Sequence, residues 1–285
     1  MVRVGETGKI HIPMAVKVVV RPYEFPNGGR QIFPNYLMVG LYGSPDMPQL
    51  GALGQQSLPA TLQRVKYLAA SYQPYTGRHV LPTLEIIASV AADNPTANGD
   101  YSDERSVAAL QPWITAAQTN GVYVVLDLQP GRSDFLTQAK DYQSLLAYPN
   151  VGLALDPEWR LGPTQVPLQQ IGSVNISEVN KTVDWLAKLT KDNKLPQKLL
   201  LLHEFRTDMI QGREQLNTSY TQLAYVIQMD GSGKPDAKAD SWNNVRANPP
   251  AANVIFGWKN FYREDPILLT PLQTMQVGPA YISYQ

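Results

Sequence analysis

From Pro34 onward, short apolar runs alternate with stretches whose apolar residues recur every three or four positions. That rhythm predicts strand followed by helix, repeated along the chain. The runs that read as strands are Tyr36 to Tyr42, His79 to Ile87, Val122 to Gln129, Val151 to Asp156, Lys198 to Glu204, Tyr225 to Asp230, Asn253 to Lys259 and Ala280 to Tyr284. Eight strands are the number of a closed barrel, and a chain of 285 residues is long enough for one, since barrels of this kind occupy about 250 residues. An open doubly wound sheet shows the same alternation but normally carries a Gly-rich phosphate turn after its first strand. Here that position reads Tyr42-Gly43-Ser44-Pro45-Asp46. The expected fold is therefore α/β, a single (β/α)8 TIM barrel over residues 36–285, preceded by an irregular Pro/Gly-rich lead-in over residues 1–35 that packs on it.

Helix starts are read from capping residues and periodicity. Ser57 precedes a helix with Pro59 in its first turn and Leu62, Val65, Leu68 and Ala69 on one face. Ser102 is expected to open the helix carrying Val107, Leu110, Trp113 and Ile114, and Ser133 the one carrying Phe135 and Leu145. A longer helix runs from Ser177 to about Asn193, and short ones are expected around Ser241 to Ala247 and Pro271 to Met275. The last strand ends the chain with no regular eighth helix, a gap that residues 1–35 are expected to cover.

Parallel barrel strands are buried on both faces, so ionisable residues within them should cluster at one open end. Near their ends the second strand carries Thr83-Leu84-Glu85, the third Asp127-Leu128-Gln129, the fourth Asp156-Pro157-Glu158, the sixth Gln228-Met229-Asp230 and the seventh Gly257-Trp258-Lys259. Alternate side chains share a face. In the fourth strand, Gly152 and Ala154 share a face with Asp156, opposite the bulkier Val151, Leu153 and Leu155. The small-residue face should point to the barrel axis, which aims Glu85, Asp127, Asp156, Glu158 and Asp230 into one mouth. In the fifth strand, Leu199-Leu200-Leu201-Leu202-His203-Glu204, either His203 or Glu204 could point inward.

Composition narrows the chemistry. Lys plus Arg equals Asp plus Glu at 24 each and the basic residues are scattered, so no nucleic-acid partner is expected. No Cys is present, which excludes disulfides, thiolate metal sites and a cysteine nucleophile. The early apolar stretch Ile10 to Val20 is interrupted by His11, Pro13 and Lys17 and is too short for a membrane span. With three His, of which His203 alone is well placed, a histidine-rich metal centre is disfavoured. No cofactor or metal is expected, although Asp127, Asp156 and Asp230 could hold magnesium through oxygen ligands. A Schiff base at Lys259 is less favoured than its pairing with a carboxylate.

Glycosidic cleavage needs a protonated carboxyl at the leaving oxygen and a carboxylate near the anomeric carbon. Asp156 with Glu158, or Glu158 with Asp127 or Asp230, meets that requirement, and crowding of acids raises the pKa of one of them. Glu85, Gln129, His203, Glu204 and Lys259 would line the same mouth, and Tyr42, Trp159, Trp258 and Tyr262 could stack on sugar rings. The segment Leu153-Ala154-Leu155-Asp156-Pro157-Glu158-Trp159 resembles the Asp-x-Glu signature of barrel-type glycoside hydrolases, notably family 25 lysozymes and the chitinase-like group. That resemblance implies Glu158 as general acid, with Asp156 orienting it or stabilising a charged intermediate formed with the substrate's acetamido group. Where the chitinase-like pattern has further aspartates, this chain has Gly152 and Ala154, and the nearest acid to the lysozymes' first-strand aspartate is Asp46. Together with Leu41-Tyr42-Gly43-Ser44-Pro45 and Gln129-Pro130-Gly131-Arg132, the segment is similar to a group of bacterial glycoside-hydrolase-like barrel proteins.

The expected function is hydrolysis of a cell-envelope or other polysaccharide outside the cell, with a carbohydrate polymer or oligosaccharide as partner. The alternatives are a non-catalytic carbohydrate-binding or structural barrel and a magnesium-dependent hydrolase. A catalyst should show two carboxyl groups facing one cleft, whereas a scaffold should lock the same acids into ion pairs with Lys259, Arg132 or Arg160. The oligomeric state is left open.

Overall fold

The computed structural model describes residues 22–285, in which eight parallel strands close into a barrel. They are β1 (Tyr36–Gly43), β2 (His79–Ala91), β3 (Tyr123–Leu128), β4 (Val151–Leu155), β5 (Lys198–His203), β6 (Leu223–Met229), β7 (Val254–Asn260) and β8 (Tyr281–Tyr284). Each pairs with its neighbours in sequence, and β1 is bonded to both β2 and β8, which closes the ring. Closure removes every free edge of the eight.

Between the strands lie α1 (Leu58–Tyr72), α2 (Val107–Thr119), α3 (Phe135–Asp141), α4 (Gln143–Leu146), α5 (Ile176–Asp192), α6 (Pro235–Arg246) and α7 (Pro271–Val277). Their apolar faces cover the outer faces of the strands, as with Val179, Val183 and Leu186 of α5 against Leu153, Leu155 and Leu200 in one buried cluster. Among the described residues no helix follows β8, as the sequence implies. A second departure was not foreseen: no α-helix joins β5 to β6, only short turns at Thr207–Met209 and Arg213–Gln215.

Four helix starts move. Ser102 does not open α2 but lies in a three-residue strand, Ser102–Glu104, that pairs antiparallel with the end of β2. The cap of α2 is Ser106, whose Oγ accepts from Ala109 N at 3.2 Å. Asp134, one residue after Ser133, caps α3 by accepting from Thr137 N at 2.9 Å, and Asn175 caps α5. In each case a Ser, Asp or Asn side chain at the cap accepts from the free N–H groups of the first turn. The helix expected from Ser241 begins six residues earlier, at Pro235; its buried stripe of Lys238, Trp242 and Val245 contains a lysine, which hides the period from a hydrophobicity reading.

Inside the barrel the side chains alternate as the small-residue face of the fourth strand predicts. Met38, Tyr123, Val125, Ala154, Leu199, Leu201, Val226 and Tyr281 fill the interior. Residues 22–35 close the lower end rather than the gap beyond β8: Phe25 packs edge-on to Tyr36 at 5.8 Å and lies 6.0 Å from the Tyr123 ring, and Tyr36 Oη donates to Gly28 O. Residues 1–21 of the expected lead-in lie outside the described residues. With the bottom plugged by aromatics, the opposite, C-terminal end is left for chemistry.

Gly152 marks how tightly the axis is filled. A β-carbon there would lie 2.7 Å from Leu199 O and 2.9 Å from Tyr123 Oη. Gly152→Ala is expected to destabilise the chain by about 1–3 kcal/mol through overpacking, read as a lowered midpoint in urea unfolding with unchanged slope.

Candidate functional site

Strand register decides which polar residues meet. His203, at the end of β5, is paired with Gln228 of β6, so it shares the inward face of Leu199 and Leu201. Its imidazole lies fully buried on the axis. Nε2 is 2.8 Å from Glu85 Oε1 of β2 and 3.7 Å from Asp127 Oδ1 of β3, and Nδ1 is hydrogen-bonded to Asp230 Oδ2 at 3.0 Å. Two tyrosines complete this layer: Tyr42 Oη donates to Asp127 Oδ2 and Tyr281 Oη to Glu85 Oε2, each at 2.9 Å. Nε2 faces Glu85 Oε1 and Asp127 Oδ1 together, off the line of a directed hydrogen bond to either, so charge draws both acids to it.

Above this floor opens a cavity of about 310 Å³ lined by Asp156, Glu158, Asp230, Gln129 and Lys259, with Trp159, Phe261 and Leu168 as apolar walls. β4 ends at Leu155, and Asp156 caps the single turn Pro157–Trp159, its Oδ1 accepting from Glu158 N at 3.2 Å. This local turn, not strand parity, places Glu158 beside Asp156. Carboxylate oxygens of Asp156, Glu158 and Asp230 all come within 4.8 Å of one another. Gln129 Nε2 donates to Tyr42 Oη at 3.3 Å and its Oε1 accepts from Ala91 N, which ties β3 to the extended end of β2.

Five carboxyl groups thus share the upper barrel with two basic groups, His203 and Lys259. Burial alone would raise Glu85 and Asp230. His203 overcomes it for both, chiefly through its charge at Glu85 and through the Nδ1 hydrogen bond at Asp230, and holds them below the usual carboxylate range. Burial would lower His203, but Asp127, Glu85 and the bond to Asp230 raise it well above its ordinary value. In the other three acids burial and neighbouring carboxylates outweigh the pull of His203. Burial, followed by repulsion from Asp230, pushes Glu158 up to about 7, and burial with Glu85 nearby pushes Asp127 to about 6. Burial and the neighbouring Asp127 and Asp230 raise Asp156 well above its usual range, against the pull of His203. At neutral pH these shifts favour an imidazolium at His203 with anionic Glu85, Asp230 and Asp127, and leave Glu158, at about 7, divided between its acid and its anion.

The sequence-predicted residues divide into two levels. Glu85 is not at a strand end, because β2 runs six residues beyond it to Ala91; it lies with Asp127 and His203 in the floor. Asp156, Glu158, Asp230, Gln129, Lys259 and Trp159 line the cavity. Glu204 turns away from it and forms a buried ion pair with Arg213. Trp258 faces outward, edge-on to Trp242 at 5.6 Å, because it has the parity opposite to Lys259. Tyr262 lies on the rim, stacked at 5.3 Å on Tyr284 and under Arg64, outside the cavity. Tyr42 lines the cavity, but Lys259 Nζ covers its ring 3.3 Å from the centroid, which removes one face from sugar stacking. Of the expected scaffold partners, Arg160 instead pairs with Glu178 at 2.8 Å and Arg132 lies over the Tyr101 ring.

Phe261, Tyr281 and Leu168 were missed, Leu168 because it lies in the loop beyond Trp159, where strand parity gives no direction. Phe261 shares the parity of Gly257 and Lys259 one step further along, so the alternation rule reaches it. Tyr281 sits on the face of Ser283 in β8, and only its length carries the hydroxyl up to Glu85.

His203→Gln removes the cation that three buried carboxylates share, and leaving such charges unpaired costs about 3–5 kcal/mol. In the parent chain Glu85 and Asp230, lowered by folding, contribute stability above their unfolded pKa that is lost as pH falls through the folded one. In the variant both are raised instead, so the loss should be largest at pH 8 and shrink toward pH 5. Paired thermal melts across that range test this; a pH-independent difference would refute the charge-balance account.

Among the described residues no helix is long and apolar enough to cross a membrane. Neither a family model nor a curated protein matches the chain. Solved structures are similar to it at low identity. A xylanase-alpha-amylase inhibitor protein (XAIP-I), in complex with trehalose, shares 13% identity over 87% of this chain and 92% of its own, with a TM-score of 0.47. An oxaloacetate acetylhydrolase shares 10% over 87% and 68%, with a TM-score of 0.36. A truncated 3-deoxy-D-arabino-heptulosonate 7-phosphate synthase from Thermotoga maritima shares 13% over 88% and 75%, with a TM-score of 0.31.

Proposed function

We propose that the protein hydrolyses a glycosidic bond in a cell-envelope or other extracellular polysaccharide, with Glu158 as general acid. The observation that carries this reading is a pair of carboxyls in one cavity whose environments drive them apart: Glu158 raised to about 7 by burial and Asp230, and Asp230 lowered, against its own burial, by His203. Divergent pKa values in neighbouring carboxyls mark an acid and its anionic counterpart. Glu158 gives its proton to the leaving oxygen as the C–O bond breaks. Asp230 faces the positive charge that develops at the anomeric carbon, and water completes the reaction, returning a proton to Glu158. Asp156 orients Glu158 through the 3.2 Å bond to its backbone N–H. Oxygens within 4.8 Å suit the retaining geometry of about 5–5.5 Å better than the 6.5–9.5 Å that an inverting enzyme leaves for water. Freedom of Asp156 and Glu158 from Arg132 and Arg160 supports a catalyst over a scaffold.

A second reading has one observation in its favour. The same three oxygens could hold a divalent cation, with Glu158 replacing the Asp127 expected from sequence, because Asp127 is occupied by Tyr42 and faces His203. In that case activity would depend on added magnesium or manganese and vanish in chelator.

The glycosidase reading predicts release of reducing ends from peptidoglycan or related glycans in the presence of chelator. Glu158→Gln should lower kcat by about 10²–10⁴-fold, the usual contribution of a general acid. Because the acid must be protonated, wild-type kcat/KM should fall as pH rises through about 7, the value for Glu158. Residual turnover in Glu158→Gln should lose that alkaline limb; retention of full activity would remove Glu158 from its role.

A further inference from the structure

The missing helix between β5 and β6 leaves a groove of about 670 Å³, twice the size of the cavity above the acids. One wall is the segment from Phe205 to Glu214; the other is the C-terminal part of α6. Arg213 ties the walls together: it is paired with Glu204 and donates to Val245 O at 2.9 Å and Ala247 O at 2.7 Å. The groove is therefore built in advance, as ligand sites usually are.

Its lining is polar without being of one charge. Ser241 and Asn244 lie on one face of α6 and Asn248 just past its end, and none of the three makes a side-chain hydrogen bond within the described residues. An amide offers two donors and an acceptor, and a serine one donor and two acceptors, which is the mixture that sugar hydroxyls require. Phe205, half-buried in the opposite wall, supplies an apolar surface.

A single residue, Gly231, separates the groove from the cavity. Gly231 follows Asp230, and a β-carbon placed on it would lie 3.3 Å from Phe205 Cβ and 3.6 Å from Ser241 Oγ. Asp230 lines the cavity while Phe205 and Ser241 line the groove, so Gly231 sets the two sites one residue apart, within the span of neighbouring units of one polymer. Resting on the glycosidase reading for the cavity, we propose that this groove binds the adjoining sugar units of a polymeric substrate, so that the protein acts on chains rather than on small glycosides.

Calorimetric titration of the full Glu158→Gln chain with N-acetylglucosamine oligomers of one, three and five units tests it. The pentamer should bind at least about tenfold more tightly than the single sugar, the worth of one or two added hydrogen bonds. Asn244→Ala with Asn248→Ala should erase that gain, and Ser241→Ala should lessen it. Equal affinity at all lengths, a gain that survives these substitutions, or no binding by any oligomer would overturn the proposal. Failure of the wild-type chain to hydrolyse the same oligomers, with length-dependent binding intact, would sink the activity and uphold the groove.

Discussion

The upper half of this barrel is organised around one buried imidazolium. His203 lies on the axis within 3.7 Å of Glu85, Asp127 and Asp230, each brought by a different strand. Ions so deeply desolvated are tolerated when opposite charge is close, and here one cation serves several anions. Tyr42 and Tyr281 add directed hydrogen bonds to the outer oxygens of Asp127 and Glu85, which fix the carboxylates that the histidine attracts.

That arrangement sets the chemistry above it. By holding Asp230 in its anionic form, His203 also makes Asp230 a repulsive neighbour for Glu158 and Asp156, and the scarcity of further cations leaves both with raised pKa values. Lys259 belongs to the cavity but lies over the Tyr42 ring, so its charge is shared between a π-face and several acids. The site therefore brings a carboxylate held anionic, Asp230, and a carboxyl of raised pKa, Glu158, to oxygens within 4.8 Å of each other, the pairing on which the proposed acid-assisted cleavage rests.

Irregularities of the barrel fall where they shape access. Residues 22–35 seal the lower end with Phe25, the extension of β2 and the loop bearing Trp159 and Leu168 wall the cavity, and loss of a helix after β5 opens the flank beside Gly231. The interior is packed with bulky side chains, so openings arise in the connections rather than between strands.

Alternation of apolar runs with helical periods carried the eight strands, the closed barrel and, through the small residues Gly152 and Ala154, the inward face of the fourth strand. Parity then pointed Asp127, Gln129, Asp156, Asp230 and Lys259 toward one end, because a pleated strand between two packed layers tolerates ionisable groups in few places. Four consecutive leucines before His203 offer no such contrast, so only pairing with β6 decided that His203 turns inward and Glu204 outward to Arg213. The depth of Glu85, the covering of Tyr42 by Lys259 and the outward turn of Trp258 against Trp242 were likewise settled by three-dimensional neighbours. A sequence records which faces residues share along a strand; how high each stands on the barrel axis, and which charge it meets there, depends on the stagger between strands, which no single segment encodes.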